Sequence, residues 1–260
     1  MLIDSYLRGY VNTKEDELFV AKVYDCFNLA LKARKVKFLG FLDEKQKRIA
    51  DIIAKSNSFE NYYFFGGYEG SERTILGVFP DNIPVSEKAF PVSSVLFTFR
   101  KQDSLSHRDF LGAIMGLMIN RVLIGDIIVS DGNALVYVID YIAEDIIRKI
   151  EKVGRTGVKA EIFNGDMILS ENKFEDISGV IASKRLDCVI AIAVRKSREV
   201  SAKLIKSRLV SVNSSICDDV SRTVCEGDKL SIRGYGKFII EKFGDITKKG
   251  RQPVLIKKYI

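Results

Sequence analysis

The residues best suited to chemistry crowd the last third of the chain. Arg185, Lys196, Arg198, Lys203, Lys206, Arg208 and Lys237 supply fixed positive charge, with Lys184 beside the first of them. Ser197 precedes an amphipathic run, where its hydroxyl can cap a helix. Cations repeated along one helix, next to the free N–H groups of its first turn, suit phosphate oxygens. Folded RNA presents such oxygens at close spacing. Asn213 is equally suited to hydrogen-bonding RNA and to closing its own turn, whereas Asp187 suits the orientation of backbone or arginine groups. Charge counting points to the same region. The 260 residues carry 41 Lys and Arg against 34 Asp and Glu, a net of +7. Residues 181–260 hold 18 basic and 8 acidic residues, net +10, which leaves 23 and 26, net −3, for residues 1–180.

Other chemistries find little support. The single histidine, His107, could serve one acid-base step, but it falls in the first turn after a cap, where exposed polar residues are common. Cys26, Cys188, Cys217 and Cys225 are scattered without C-x-x-C spacing, which suggests reduced thiols and no metal site. Gly66-Gly67-Tyr68-Glu69-Gly70 lacks both the P-loop lysine and the G-x-G-x-x-G spacing, so no cofactor is expected. That glycine pair reads as a turn or a direct ligand contact. Glu72-Arg73 beyond it reads as an ion pair or a phosphate contact. No apolar stretch is long enough to cross a bilayer, and the first residues do not read as a secretory signal.

The elements that position these residues follow from periodicity. Residues 14–56 read as two helices, with Lys32, Arg34, Lys35 and Lys37 at the end of the first. Strands follow at Tyr62–Phe65 and Thr74–Phe79, and a proline-punctuated linker at Asp81–Pro91. Residues 92–163 give a strand at Val95–Phe99 and a helix capped by Ser106, whose inner face would hold Phe110, Ile114, Leu117 and Met118. Two strands around Asp131-Gly132-Asn133, a helix at Ala143–Lys152 and a strand at Val158–Phe163 complete the run. This β-α-β-β-α-β order predicts a ferredoxin-like sandwich, the arrangement of RNA-recognition domains. Phe97, Phe99 and Tyr137 would be its stacking aromatics, or core. From Ile181 onward two short helices on a small sheet are expected. The chain is therefore read as α+β, in three domains: 1–90, 91–178 and 179–260.

Two resemblances sharpen this reading. Arg185-Leu186-Asp187, Ser197-Arg198 with Ala202 and Ile205, Val210-Ser211-Val212-Asn213 and Val224 to Asp228 together resemble the S4 RNA-binding domain. That family usually places glycine where Arg208 stands. More widely, Gly66 to Arg73, Leu105 to Gly112, Ile124-Gly125-Asp126-Ile127 and Thr247 to Arg251 resemble the bacterial YlmH family. The resemblance implies a cytoplasmic, ribosome-associated RNA-binding protein. It further implies attachment to large ribosomal subunits that still carry peptidyl-tRNA, in ribosome-associated quality control. Structured RNA, ribosomal RNA or tRNA, is the expected partner, and a monomer is expected. An RNA-modifying enzyme with an S4 targeting domain and a protein-protein adaptor are the competing classes. The enzyme would need a cofactor loop, metal cluster or nucleophile-base pair that the sequence does not display.

Overall fold

The computed structural model describes residues 7, 9–165, 174–247 and 250–259; Lys248 and Lys249 of the Thr247–Arg251 run fall outside them. Where the sequence suggests three domains, the chain divides into two compact units, Met1–Ile168 and Leu169–Ile260.

The first unit opens with α1 (Lys14–Ala33), started by a capping box between Thr13 and Asp16. Arg34 ends it in the left-handed region, at φ 50°. Lys37 therefore does not belong to the helix end but opens strand β1 (Lys37–Leu42), an element that helical patterns on both sides conceal. Next come α2 (Glu44–Ser56), β2 (Tyr62–Phe65) and β3 (Thr74–Val78), and the three strands form an antiparallel sheet in the order β1-β3-β2. Strand alternation gives this sheet two apolar faces. Leu42, Leu76 and Val78 pack against Val23 and Phe27 of α1 and Ile49 and Ile53 of α2. Phe41, Ile75 and Phe79 face the other way.

What they meet is a second sheet. Strands β4 (Val92–Thr98), β5 (Ile124–Ser130), β6 (Asn133–Ile139) and β9 (Lys159–Ile162) pair antiparallel in the order β5-β6-β4-β9. Helices α3 (His107–Met115) and α4 (Asp140–Lys149) connect them, and a two-residue pair of strands, β7 (Lys152–Val153) and β8 (Thr156–Gly157), precedes β9. This is the expected ferredoxin-like topology. Its inner face buries Val95, Phe97 and Val136 against Phe110, Ile114 and Ile146 of the helices. Its outer face contributes Leu135, Tyr137 and Ile139 to the cluster with Phe41, Ile75 and Phe79. Phe90, at the end of the stretch read as a linker, is buried in the same cluster. The two sheets thus share one core, which explains why residues 1–90 do not stand apart. One core expectation fails. Helix α3 stops at Met115, and Met118, at φ 61°, is 97% exposed.

A single carboxylate locks this stack. Asp126 of β5 accepts hydrogen bonds from the Tyr68 hydroxyl at 2.8 Å, Glu72 N at 2.7 Å and Arg73 N at 3.1 Å. Arg73 then donates to the carbonyls of Ile124, Phe41 and Arg121 at 3.0, 2.8 and 3.3 Å. Arg73 is half-buried and spends its guanidinium on these backbone carbonyls. Gly67, at φ 105°, passes so close to Tyr137 that a Cβ would lie 2.4 Å from its ring. The glycine pair therefore serves a turn that wraps the carboxylate.

The second unit has strand β10 (Phe174–Ile181), helices α5 (Leu186–Ala193) and α6 (Arg198–Lys206), then β11 (Val210–Val212), β12 (Ser215–Ile216), β13 (Lys229–Ile232), β14 (Gly236–Phe243) and β15 (Gln252–Tyr259). All six strands join one antiparallel sheet, β10-β15-β14-β13-β11-β12. One face, with Ile177, Leu230, Phe238, Ile240 and Ile256, buries Leu186, Val189 and Ile190 of α5 and Ile205 of α6. Each such side chain contributes about 1.5–3 kcal/mol relative to leaving it exposed.

Replacing Asp126 with Ala removes three hydrogen bonds to one charged acceptor and should destabilise the first unit by about 2–3 kcal/mol. Urea unfolding followed by tyrosine fluorescence checks this. An unchanged midpoint would show that apolar packing alone joins the sheets.

Candidate nucleic-acid interface

The start of α5 is pinned from outside. Leu186 N donates to Arg222 O at 2.8 Å and Val224 N to Lys184 O at 2.9 Å, so the chain around Arg185 is held extended before the helix begins. In the first turn lies Asp187, 4% exposed. Its carboxylate accepts from Arg185 Nε at 3.1 Å, from Arg198 at 2.6 Å and from Cys188 N at 3.0 Å. Burial pushes this carboxyl up, but the hydrogen bonds and charges of Arg185 and Arg198 outweigh it and hold the group below its ordinary value of 3.8. Reciprocally, the bond to Asp187 raises both arginines above their usual range. Their side chains remain 41% and 58% exposed. A guanidinium carries five N–H donors, so a shared internal acceptor can fix two arginines and still leave donors turned outward.

Helix α6 extends the same surface. Ser197 caps it as expected, accepting from Val200 N at 3.3 Å. Lys206 and Arg185 both lower the pKa of Asp219, after the dominant hydrogen bonds from Ser221. Arg185 and Arg198 are thus brought together through Asp187, and Lys206 is exposed near the end of α6. Lys203 pairs with Glu199 at 2.9 Å, both well exposed, an arrangement that solvent screens. Lys196 is exposed just before the cap. Arg208 is exposed and takes the left-handed conformation at φ 57°, within a Schellman turn formed by Arg208 N to Ile205 O and Leu209 N to Leu204 O. It bears the strain that a glycine would avoid.

Three predicted contacts sit differently. Lys184 Nζ lies 4.7 Å from the ring centroid of Phe243, a cation–π contact. Asn213 uses both ends of its amide internally, donating to Asp228 at 2.8 Å and accepting from Lys229 N at 2.9 Å, so it clasps two turns. Lys237 stands next to buried Phe238 in β14, so it belongs to the sheet face turned away from α5 and α6. Sequence reasoning missed Asp219 altogether. Its only local signal is Ser221 two residues on, the spacing of an Asx turn, which forms at 2.8 Å. Among the described residues no three His, Cys, Asp or Glu side chains gather to hold a metal, and no helix is long and apolar enough to cross a membrane.

Comparisons with known proteins fall on these same elements. Residues 184–230 match the S4 domain, from the start of α5 to β13. Residues 95–167 match a family described as "Putative RNA-binding domain in YlmH", over the ferredoxin-like fold. A Bacillus subtilis protein named "Ribosome-associated protein quality control protein P2" is 30% identical over 249 residues, covering 94% of this chain and 96% of that protein. The chain belongs to the YlmH family. A solved structure, "Cell division protein ylmH from Streptococcus pneumoniae", matches 58% of this chain and 93% of its own at a TM-score of 0.51 and 22% identity, which supports the fold. In this YlmH chain the ferredoxin-like sheet does not present stacking aromatics. Phe97 and Phe99 pack on Phe110 at 5.3 and 5.8 Å, and Tyr137, 4% exposed, lies 4.8 Å from Tyr68.

Two outcomes follow. Because the folded-state pKa of Asp187 is depressed, its stabilisation is whole at neutral pH and fades as pH falls through about 4 and below. Asp187→Asn should lower the urea midpoint at pH 7, and the gap to wild type should narrow progressively as the pH falls below 3.8. A gap independent of pH would contradict the ion pairs. Arg208→Gly should raise stability by about 1 kcal/mol by relieving the left-handed residue, while RNA affinity falls by one contact. Calorimetry beside an RNA titration reads both, and a lower Tm would contradict the strain.

Proposed function

We propose that this chain is a non-catalytic, cytoplasmic RNA-binding protein of the ribosome. Its α5–α6 surface holds the phosphates of structured RNA on large subunits that still carry peptidyl-tRNA, as part of quality control. The observation that carries the RNA reading is the pair Arg185 and Arg198 organised by Asp187, with Lys206 exposed on the same helix α6. Fixed guanidiniums on a rigid helix pair recognise phosphate geometry rather than base identity, which suits the irregular backbone of ribosomal RNA or tRNA. Lys196, Lys203 and Arg208 widen the field along the same helix and its ends. The ribosomal setting is supported by the Bacillus subtilis relative, whose name states ribosome association and quality control. The large subunit and the tRNA follow from the family resemblance.

Replacing Arg198 and Lys206 together with Glu in the full chain should weaken binding to a structured RNA at every sequence tested. It should also flatten the plot of log affinity against log salt by roughly 1.5, the share of two phosphate contacts. Fluorescence anisotropy across a salt series measures this. Co-sedimentation with separated ribosomal subunits, followed by RNA crosslinking, tests the setting. Recovery of large-subunit RNA and tRNA is expected, and recovery of neither would favour the adaptor. Base modification by the purified protein in a cofactor-supplemented assay would overturn the non-catalytic reading.

A further inference from the structure

Helices α5 and α6 cover one face of the six-stranded sheet, and the residues of the other face alternate with the buried ones along each strand. On that second face the register builds two parallel rows. Asp176, Lys257, Ile239 and Lys229 stand directly opposite one another across β10, β15, β14 and β13. In the neighbouring row Phe174 is opposite Tyr259, and Lys237 is opposite Ser231, which is opposite Ser211. The Phe174 and Tyr259 rings meet edge to face at 4.9 Å, and Lys257 Nζ lies 5.7 Å from the Phe174 centroid. Phe174 is 36% exposed, Lys237 and Ser231 are exposed, and Tyr259, Ile239 and Lys229 are partly so.

We infer that this face binds unpaired RNA nucleotides, with bases against Phe174 and Tyr259 and phosphates along Lys257, Lys237 and Lys229. The inference rests on the RNA-binding reading above but uses none of its helix-borne residues. Three features favour single strands. An exposed aromatic pair offers π-faces that a paired base cannot reach, whereas a splayed base can. Cations flank the pair: Lys257, which Glu241 contacts at 3.0 Å and Asp176 faces, and beyond it Lys229, Lys237 and Lys242 on the same face. From β10 to β13 the face spans roughly 14 Å at ordinary strand spacing, enough for a few nucleotides. A protein-docking face would show a continuous apolar patch, and here lysines interrupt the apolar residues. The contrast with the first unit is direct. The sheet whose topology matches RNA-recognition domains is buried by its neighbour, and the open sheet lies in the other unit.

The test uses the full chain, a fluorescein-labelled 12-nucleotide oligouridine and a fluorescein-labelled RNA hairpin. Replacing Phe174 and Tyr259 with Ala should weaken oligouridine binding about tenfold, the scale of losing stacked bases, with the hairpin changed less than twofold. Arg198→Glu with Lys206→Glu should do the reverse. Lys237→Glu, an exposed change that spares the core, should weaken oligouridine severalfold, and 5-iodouridine crosslinks should map to peptides holding Phe174 or Tyr259. Absence of oligouridine binding by the wild type, full binding by Lys237→Glu, or crosslinks confined to residues 185–208 would each overturn the inference. An unchanged hairpin affinity in the Arg198 and Lys206 variant would instead overturn the helix-surface reading.

Discussion

The second unit is organised around a buried negative charge that cannot stand alone. A carboxylate such as Asp187, removed from water, needs hydrogen-bonding partners, and two arginines eleven and two residues away in sequence supply them. That requirement sets the pairing of α5 with the start of α6, and it orders side chains that would otherwise sample many rotamers. The exposed parts of the two guanidiniums are then held for a ligand at reduced entropic cost. In the proposed RNA-binding role, affinity comes partly from positive charge and partly from the acid beneath it.

The first unit shows the same economy in a different place. Two sheets that each need a cover provide it for one another, and Asp126 fixes their register through the Gly66–Arg73 turn. The consequence for function is a subtraction. Tyr137, which an RNA-recognition domain would offer to a base, is spent on Tyr68 and Gly67. Topology resembling a recognition domain therefore carries no stacking surface here, in line with the rule that fold does not fix function.

Much of this was legible in the chain itself. The caps at Ser106 and Ser197, the hairpin at Asp131-Gly132 and the charge segregation are local signals, and each element appears where they indicate. Asp187 also behaves as its type and spacing suggest. Long-range consequences were hidden. Strand β1 reads as helix flank because its partner, β3, lies more than thirty residues on. The covering of the ferredoxin-like sheet depends on Phe90 and Phe41 meeting Leu135 and Tyr137, which no local period reveals. Lys237 looks like one more helix-side cation in sequence, because its strand face is decided by Phe238 and the register with β13. The role of Asn213 depends on Asp228, fifteen residues on, which no local pattern connects to it.

If Asp187 organises Arg185 and Arg198 for the proposed RNA contact, the sign of one effect shows it directly. Asp187→Asn adds one net positive charge to the unit, so charge counting alone predicts tighter binding to structured RNA. The organising role predicts weaker binding, with the loss disappearing when Arg185 and Arg198 are both replaced by Gln. RNA affinity measured by anisotropy for the four combinations decides between them. Tighter binding by Asp187→Asn, or an equal loss in both backgrounds, would contradict the account.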